Sequence, residues 1–244
     1  MKKLIPILKA ASAGVILSFV AIKGAGAATL NANFTELPGI AGGSPAGTGV
    51  FVANLSNLGF DISSIQISYN SSGLGGSPGE FTGFDLDAIK FSTTLLDQAE
   101  DINNLPGLDV FDFSSTGTLF TPGTQRPPID PRLFGTTGGN INHTVASLGS
   151  FDANSSTDSS AFGFVSLGDN GKVHFNLKSI ISTAGSLYLY VGEVGNNGEV
   201  AAAAISVSSQ SIDDTTSVPE PGTVAGIVLL GLGFLFKKKV IGNW

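Results

Sequence analysis

The chain has 244 residues, among them 33 glycines, 17 phenylalanines and no cysteine; 13% are charged, and the formal net charge is −7. Without cysteine it has no disulfide, thiolate metal site or cysteine nucleophile. Seven of the twelve basic residues lie in the two ends, so residues 28–218 set Lys90, Arg126, Arg132, Lys172 and Lys178 against eighteen acids, a net −13 that disfavours nucleic acid as a partner.

Met1-Lys2-Lys3 precedes an apolar run over residues 10–22 and then Gly24-Ala25-Gly26-Ala27-Ala28. A basic start, an apolar stretch of about 13 residues and small side chains at −3 and −1 make a secretory signal. With Ala25 and Ala27 at those two positions, residues 1–27 are the signal and cleavage precedes Ala28. An uncut N-terminal anchor would call for a longer apolar core.

Residues 28–209 read as one domain. Short apolar or alternating runs bounded by turn residues occur at 49–55, 62–69, 81–91, 110–113, 118–120, 144–151, 161–167, 172–177, 186–194 and 199–207. They predict about ten strands in an all-β, single antiparallel β-sandwich, with one short helix over 97–104. Gly168-Asp169-Asn170-Gly171 and Gly195-Asn196-Asn197-Gly198 separate alternating runs, which predicts two hairpins and a four-stranded meander over 160–209. The stretches Gly83-Phe84-Asp85-Leu86-Asp87-Ala88-Ile89 and Leu187-Tyr188-Leu189-Tyr190-Val191-Gly192-Glu193 are similar to strands of the jelly-roll sandwiches of secreted bacterial surface proteins, some of which bind carbohydrate. That resemblance covers about residues 81–208 and implies a fold, not a function.

Residues 210–217 read as a linker and 218–244 as a second signal. Val218-Pro219-Glu220-Pro221 leads into an apolar run over 223–236 and then Lys237-Lys238-Lys239. Fourteen residues of helix reach about 21 Å, short of a hydrocarbon core of about 30 Å, and the lysines belong on the cytoplasmic side. Two prolines around one acid give a rigid, extended segment, a suitable protease handle beside a bilayer. These features resemble the PEP-CTERM signal of exosortase-processed bacterial proteins. The resemblance implies that Pro219, Glu220 and Pro221 are recognition residues, that Lys237, Lys238 and Lys239 stop transfer through the membrane, and that an exosortase-type enzyme is the partner. It also implies a transmembrane helix that anchors the precursor transiently and a mature protein at the cell surface or in the extracellular matrix.

The body offers little catalytic chemistry. Gly75-Gly76-Ser77-Pro78-Gly79 matches G-x-S-x-G, but nothing helical follows, and it reads as a flexible turn. His143 and His174 are the two histidines, and a hydrolase would need one of them in a pocket with a serine and an acid within hydrogen-bond reach. Asp85 and Asp87 share a strand face. They are a candidate calcium ligand pair, against the alternative of a solvated acidic edge that discourages strand aggregation. Tyr188 and Tyr190 likewise share a face, either a buried layer or a sugar platform, and the buried layer is preferred. The expected function is non-enzymatic, an exported matrix protein with exopolysaccharide as a partner and no resident cofactor; the alternative is a secreted hydrolase of polysaccharide or ester substrates.

Overall fold

The structure, a computed structural model, describes residues 28–43, 46–68, 75–196 and 205–211. Its strands are β1 (Thr29–Ala32), β2 (Thr35–Glu36), β3 (Thr48–Asn54), β4 (Ile62–Ser68), β5 (Asp85–Ser92), β6 (Thr118–Thr121), β7 (Thr136–Thr137), β8 (Asn140–Ile141), β9 (Val165–Ser166), β10 (Lys172–Ile181), β11 (Tyr188–Val194) and β12 (Ile205–Ser208). One main sheet has the order β1-β12-β4-β10-β6 and the other β2-β3-β11-β5-β9, with β7 and β8 forming a separate small ribbon. The antiparallel pairs are nested: β1 with β12, β3 with β11, β4 with β10 and β5 with β9. Successive pairs fall in alternate sheets, which is a ribbon folded double and rolled, the jelly-roll topology.

Alternation places the core between the sheets. Ile65 and Ile67 of β4, Val173 and Phe175 of β10, Val207 of β12, and Phe51, Leu86, Ile89, Phe91, Leu189 and Val191 opposite them are buried together. Phe111 stacks on Phe91 with centroids 5.2 Å apart and meets Phe175 edge-on at 5.8 Å, both favourable aromatic geometries. Parts of the long connection from β5 to β9, which also supplies β6 to the first sheet, fold over the outer face of the second. They bury a further layer there, in which Ala99, Ile102, Leu105 and Phe151 meet Val50, Val52, Ala88 and Tyr190. Gly192 makes that layer possible: a Cβ there would stand 2.8 Å from both the Phe151 ring and the Thr48 methyl.

The all-β sandwich stands as expected, and the jelly roll extends further, taking in β1, β3 and β4 ahead of residue 81. The meander over 160–209 does not form. β9 and β11 lie in one sheet and β10 and β12 in the other, so each connection crosses the sandwich instead of closing a hairpin. At Gly168-Asp169-Asn170-Gly171 the glycines serve close backbone approach. A Cβ on Gly83 would come within 2.6 Å of the Gly168 backbone, and one on Gly168 within 2.7 Å of Gly123. Arg126 secures the crossing, with Nε 2.9 Å from Asp169 Oδ2, Nη2 3.1 Å from Oδ1 and Nη1 donating to the Gly75 carbonyl.

Residues 144–151 form turns, not a strand, although Ala146, Leu148 and Phe151 are buried; without pairing, the run supplies Ala146 and Leu148 to the main core and Phe151 to the covering layer. Residues 110–113 contribute a single bridge, Phe111 to Leu177, and the expected short helix is a 3-10 segment at Ala99–Asn104.

Candidate functional site

The two main sheets differ in chemistry. The strands of the second carry Glu36, Asp85, Asp87 and Glu193, whereas those of the first contain no acid at all, only Lys172, Lys178 and His174 among ionisable side chains. The apolar layer that the long connection buries packs on the second sheet, not on the first. Because Val173, Phe175, Ile65, Ile67 and Phe120 point inward, the intervening residues face out. Strand register then lines up Asn31, Ser206, Gln66, His174 and Leu119 in one row across all five strands. Beside it, Lys172 stands between Ser68 and Thr121. The strands present amides, hydroxyls and one imidazole here, and the Asp109 carboxylate pairs with Lys178 Nζ, further along β10, at 2.8 Å.

His174 is the unusual member. Its Nδ1 is buried and makes no hydrogen bond. Burial, followed by the nearby Lys172 charge, lowers its pKa to about 4, so the ring is neutral at physiological pH and can accept or donate. His143 lies in the turn after β8 and burial lowers its pKa too. Among the described residues no hydrogen bond joins either imidazole to a serine or a carboxylate. A shallow cleft of about 400 Å³ lined by Glu36, Leu37, Pro38, Gly39, Ile40 and Asn196 offers a carboxylate but neither histidine nor serine. Ser77 lies among the bends at Gly75, Gly76 and Pro78, ahead of a 3-10 turn at Gly79–Phe81, and no α-helix follows it there.

Asp85 and Asp87 share the outer face of β5, as their spacing predicted, but β5 is flanked by β11 and β9 and the acids are 5% and 0% exposed. They are therefore no solvated edge. Asp85 Oδ1 accepts from Ser166 Oγ at 2.5 Å. Asp87 Oδ2 accepts from Thr48 Oγ1 at 2.6 Å, and both its oxygens accept from the Ala153 N–H at 3.1 Å. Burial pushes the Asp87 pKa up to about 7, against the lowering effect of those hydrogen bonds. Among the described residues no three histidine, aspartate or glutamate side chains converge as a metal site. Asp87 ties Ala153 to β3 and β5, and Asp85 ties β5 to β9, a use of acids that strand parity alone does not reveal.

Tyr190 is fully buried in the covering layer; its hydroxyl accepts from the Leu96 N–H and donates to the Thr94 carbonyl, each at 2.9 Å. Tyr188 packs beside that layer. The pair is a buried layer and not a sugar platform.

Ala28 is the first described residue. Its N–H donates to Ser209 Oγ at 3.1 Å and its carbonyl accepts from the Ser209 N–H at 3.1 Å. Ala25, Ala27, Pro219, Glu220, Pro221, Lys237, Lys238 and Lys239, with most of the linker, lie outside the described residues. No helix among the described residues is long and apolar enough to cross a membrane.

Residues 217–239 match the model of the PEP-CTERM protein-sorting motif. No curated protein and no solved structure matches the chain. The motif implies an exported protein, processed by an exosortase-type enzyme and sorted to the cell surface.

Proposed function

We propose that the jelly roll is a non-enzymatic component of the cell surface or extracellular matrix that binds polysaccharide through the outer face of its first sheet. The observation that carries this reading is the row of Asn31, Gln66 and His174 on a sheet without an acid, in a body of net charge −13. Amides, hydroxyls and a neutral imidazole match sugar hydroxyls as donors and acceptors. Strands without carboxylates also lessen the repulsion of a polymer that carries uronate or sulfate.

Hydrolysis would need a positioned acid, base or nucleophile. Nδ1 of His174 makes no hydrogen bond to such a group among the described residues, and the cleft is lined by neither histidine nor serine. Before processing, the C-terminal apolar run holds the precursor in the membrane, and removal of the tail frees the body. Calcium has no part in this reading, because the Asp85 and Asp87 oxygens already accept protein hydrogen bonds.

The test is retention of residues 28–211 on immobilised neutral and uronate-containing polysaccharides. Gln66→Ala with His174→Ala is expected to lower retention at least tenfold while leaving Tm within about 2 °C. Equal retention by the double variant contradicts the reading.

A further inference from the structure

Of the five basic residues in the body, three are committed within it. Arg126 pairs with Asp169 and Lys178 with Asp109, and Lys90 donates to the carbonyls of Ile102 and Leu105. Lys172 is exposed and has no carboxylate partner among the described residues. It stands on β10 two residues before His174, on the same outward face. Its charge is felt at the imidazole, where it adds to the effect of burial. In a body of net charge −13, an uncommitted cation on strands that carry no acid is a place where an anionic ligand is attracted.

The row beside Lys172 has a length and a direction. Asn31 of β1, Gln66 of β4, His174 of β10 and Leu119 of β6 stand in register, with β12 between the first two. Asn31 is exposed, Gln66 and His174 are half-buried and Leu119 is 40% exposed, so amides, an imidazole and an apolar side chain all reach the surface. Across the strands, neighbouring positions lie about 4.8 Å apart and the whole row runs about 19 Å; along one strand, same-face positions lie about 6.8 Å apart. The ring-to-ring repeat of an extended, equatorially linked pyranose chain is close to the first spacing and well short of the second. A polymer laid across the sheet therefore meets one strand per sugar, whereas one laid along β10 falls out of step. The amides and the imidazole suit sugar hydroxyls, and Leu119 suits the C–H face of a ring. The flexible Lys172 stem lets its ammonium reach back to a carboxylate on a ring held in the row. Because the row begins and ends on the edge strands β1 and β6, it suits the middle of a long chain.

We infer that the ligand of this face is an extended, equatorially linked uronate polysaccharide, bound across the strands over about four or five sugars, with Lys172 taking a carboxylate. This rests on the reading of the face as a polysaccharide site and adds to it the charge, the linkage and the direction of the chain.

The test is titration calorimetry on the full chain in detergent micelles with three series of oligosaccharides, each from dimer to hexamer. Oligomannuronate is equatorially linked and charged, manno-oligosaccharide of the same linkage is neutral, and oligoguluronate is charged but axially linked. Mannuronate affinity is expected to rise at least tenfold from dimer to pentamer and then level off, and the mannuronate pentamer to bind at least tenfold more tightly than the other two pentamers. Lys172→Gln is expected to bring mannuronate down to the level of the neutral series and to leave that series unchanged. Asn31→Ala, at the far end of the row, is expected to weaken the pentamer and leave the dimer unchanged. Both substitutions replace exposed side chains, and thermal unfolding of each variant confirms the fold. Dimer and pentamer bound alike, guluronate bound as tightly as mannuronate, or mannuronate bound equally by Lys172→Gln overturns the inference and leaves the polysaccharide reading standing. Absence of binding in all three series overturns both.

Discussion

Asp87 and His174 tie stability to pH in opposite directions. Burial raises the Asp87 pKa from 3.8 to about 7, so its contribution is fully present below 3.8 and is lost as pH rises through about 7. The whole effect is about 4 kcal/mol at most. His174, lowered from 6.5 to about 4, contributes stability that is present above 6.5 and lost as pH falls through about 4. Urea unfolding from pH 4 to 8 should therefore show wild type losing ground to Asp87→Asn as pH rises. His174→Gln should gain on wild type as pH falls. A pH-independent gap between wild type and Asp87→Asn would show that the carboxyl is solvated. Asp87→Ala strands the Thr48 hydroxyl and the Ala153 N–H and should cost about 2–3 kcal/mol at pH 5. The shared face of Asp85 and Asp87 was legible from their spacing; their burial was not, since it depends on a connection more than sixty residues further along the chain that folds back over β5.

At the scale of elements, Gly168-Asp169-Asn170-Gly171 makes a turn, as its residues predict, but the turn does not close a hairpin. Gly, Asp and Asn tolerate positive φ, and Asn170 has φ 64°, but that property serves a crossing between sheets as well as a hairpin. A true two-residue Gly-Gly hairpin lies elsewhere, at Gly138-Gly139 between β7 and β8, both with positive φ. Its strands have two residues each, too short for alternation to show. The close crossing gives a sharp prediction. Gly168→Ala places a methyl against the Gly123 backbone at a φ of 77°, and thermal unfolding should register a loss of about 2–4 kcal/mol. Gly138→Ala meets nothing within 4 Å and carries only the positive-φ strain, so its loss should be about 1 kcal/mol. Equal losses at the two sites would contradict the crossing.

For the whole molecule, composition and alternation fixed the class and the core-facing residues, because burial of one face in two is a local signal. Pairing is not local. β1 meets β12 nearly the full length of the body away, and its sequence of Thr, Leu, Asn and Ala is too short and polar to announce a strand. The sorting motif was legible because its parts are contiguous and each has its own physical character, as a rigid acid-bearing handle, an apolar run and a basic stop. The central claim is that this body is exported and released from its tail. Mass spectrometry of the extracellular and membrane fractions from the native host tests it most directly. The account predicts an extracellular form that begins at Ala28 and ends near Pro219–Pro221, and, on deletion of Pro219–Pro221, a precursor that stays with the membrane. An extracellular wild-type form still carrying Lys237 to Trp244 would contradict it.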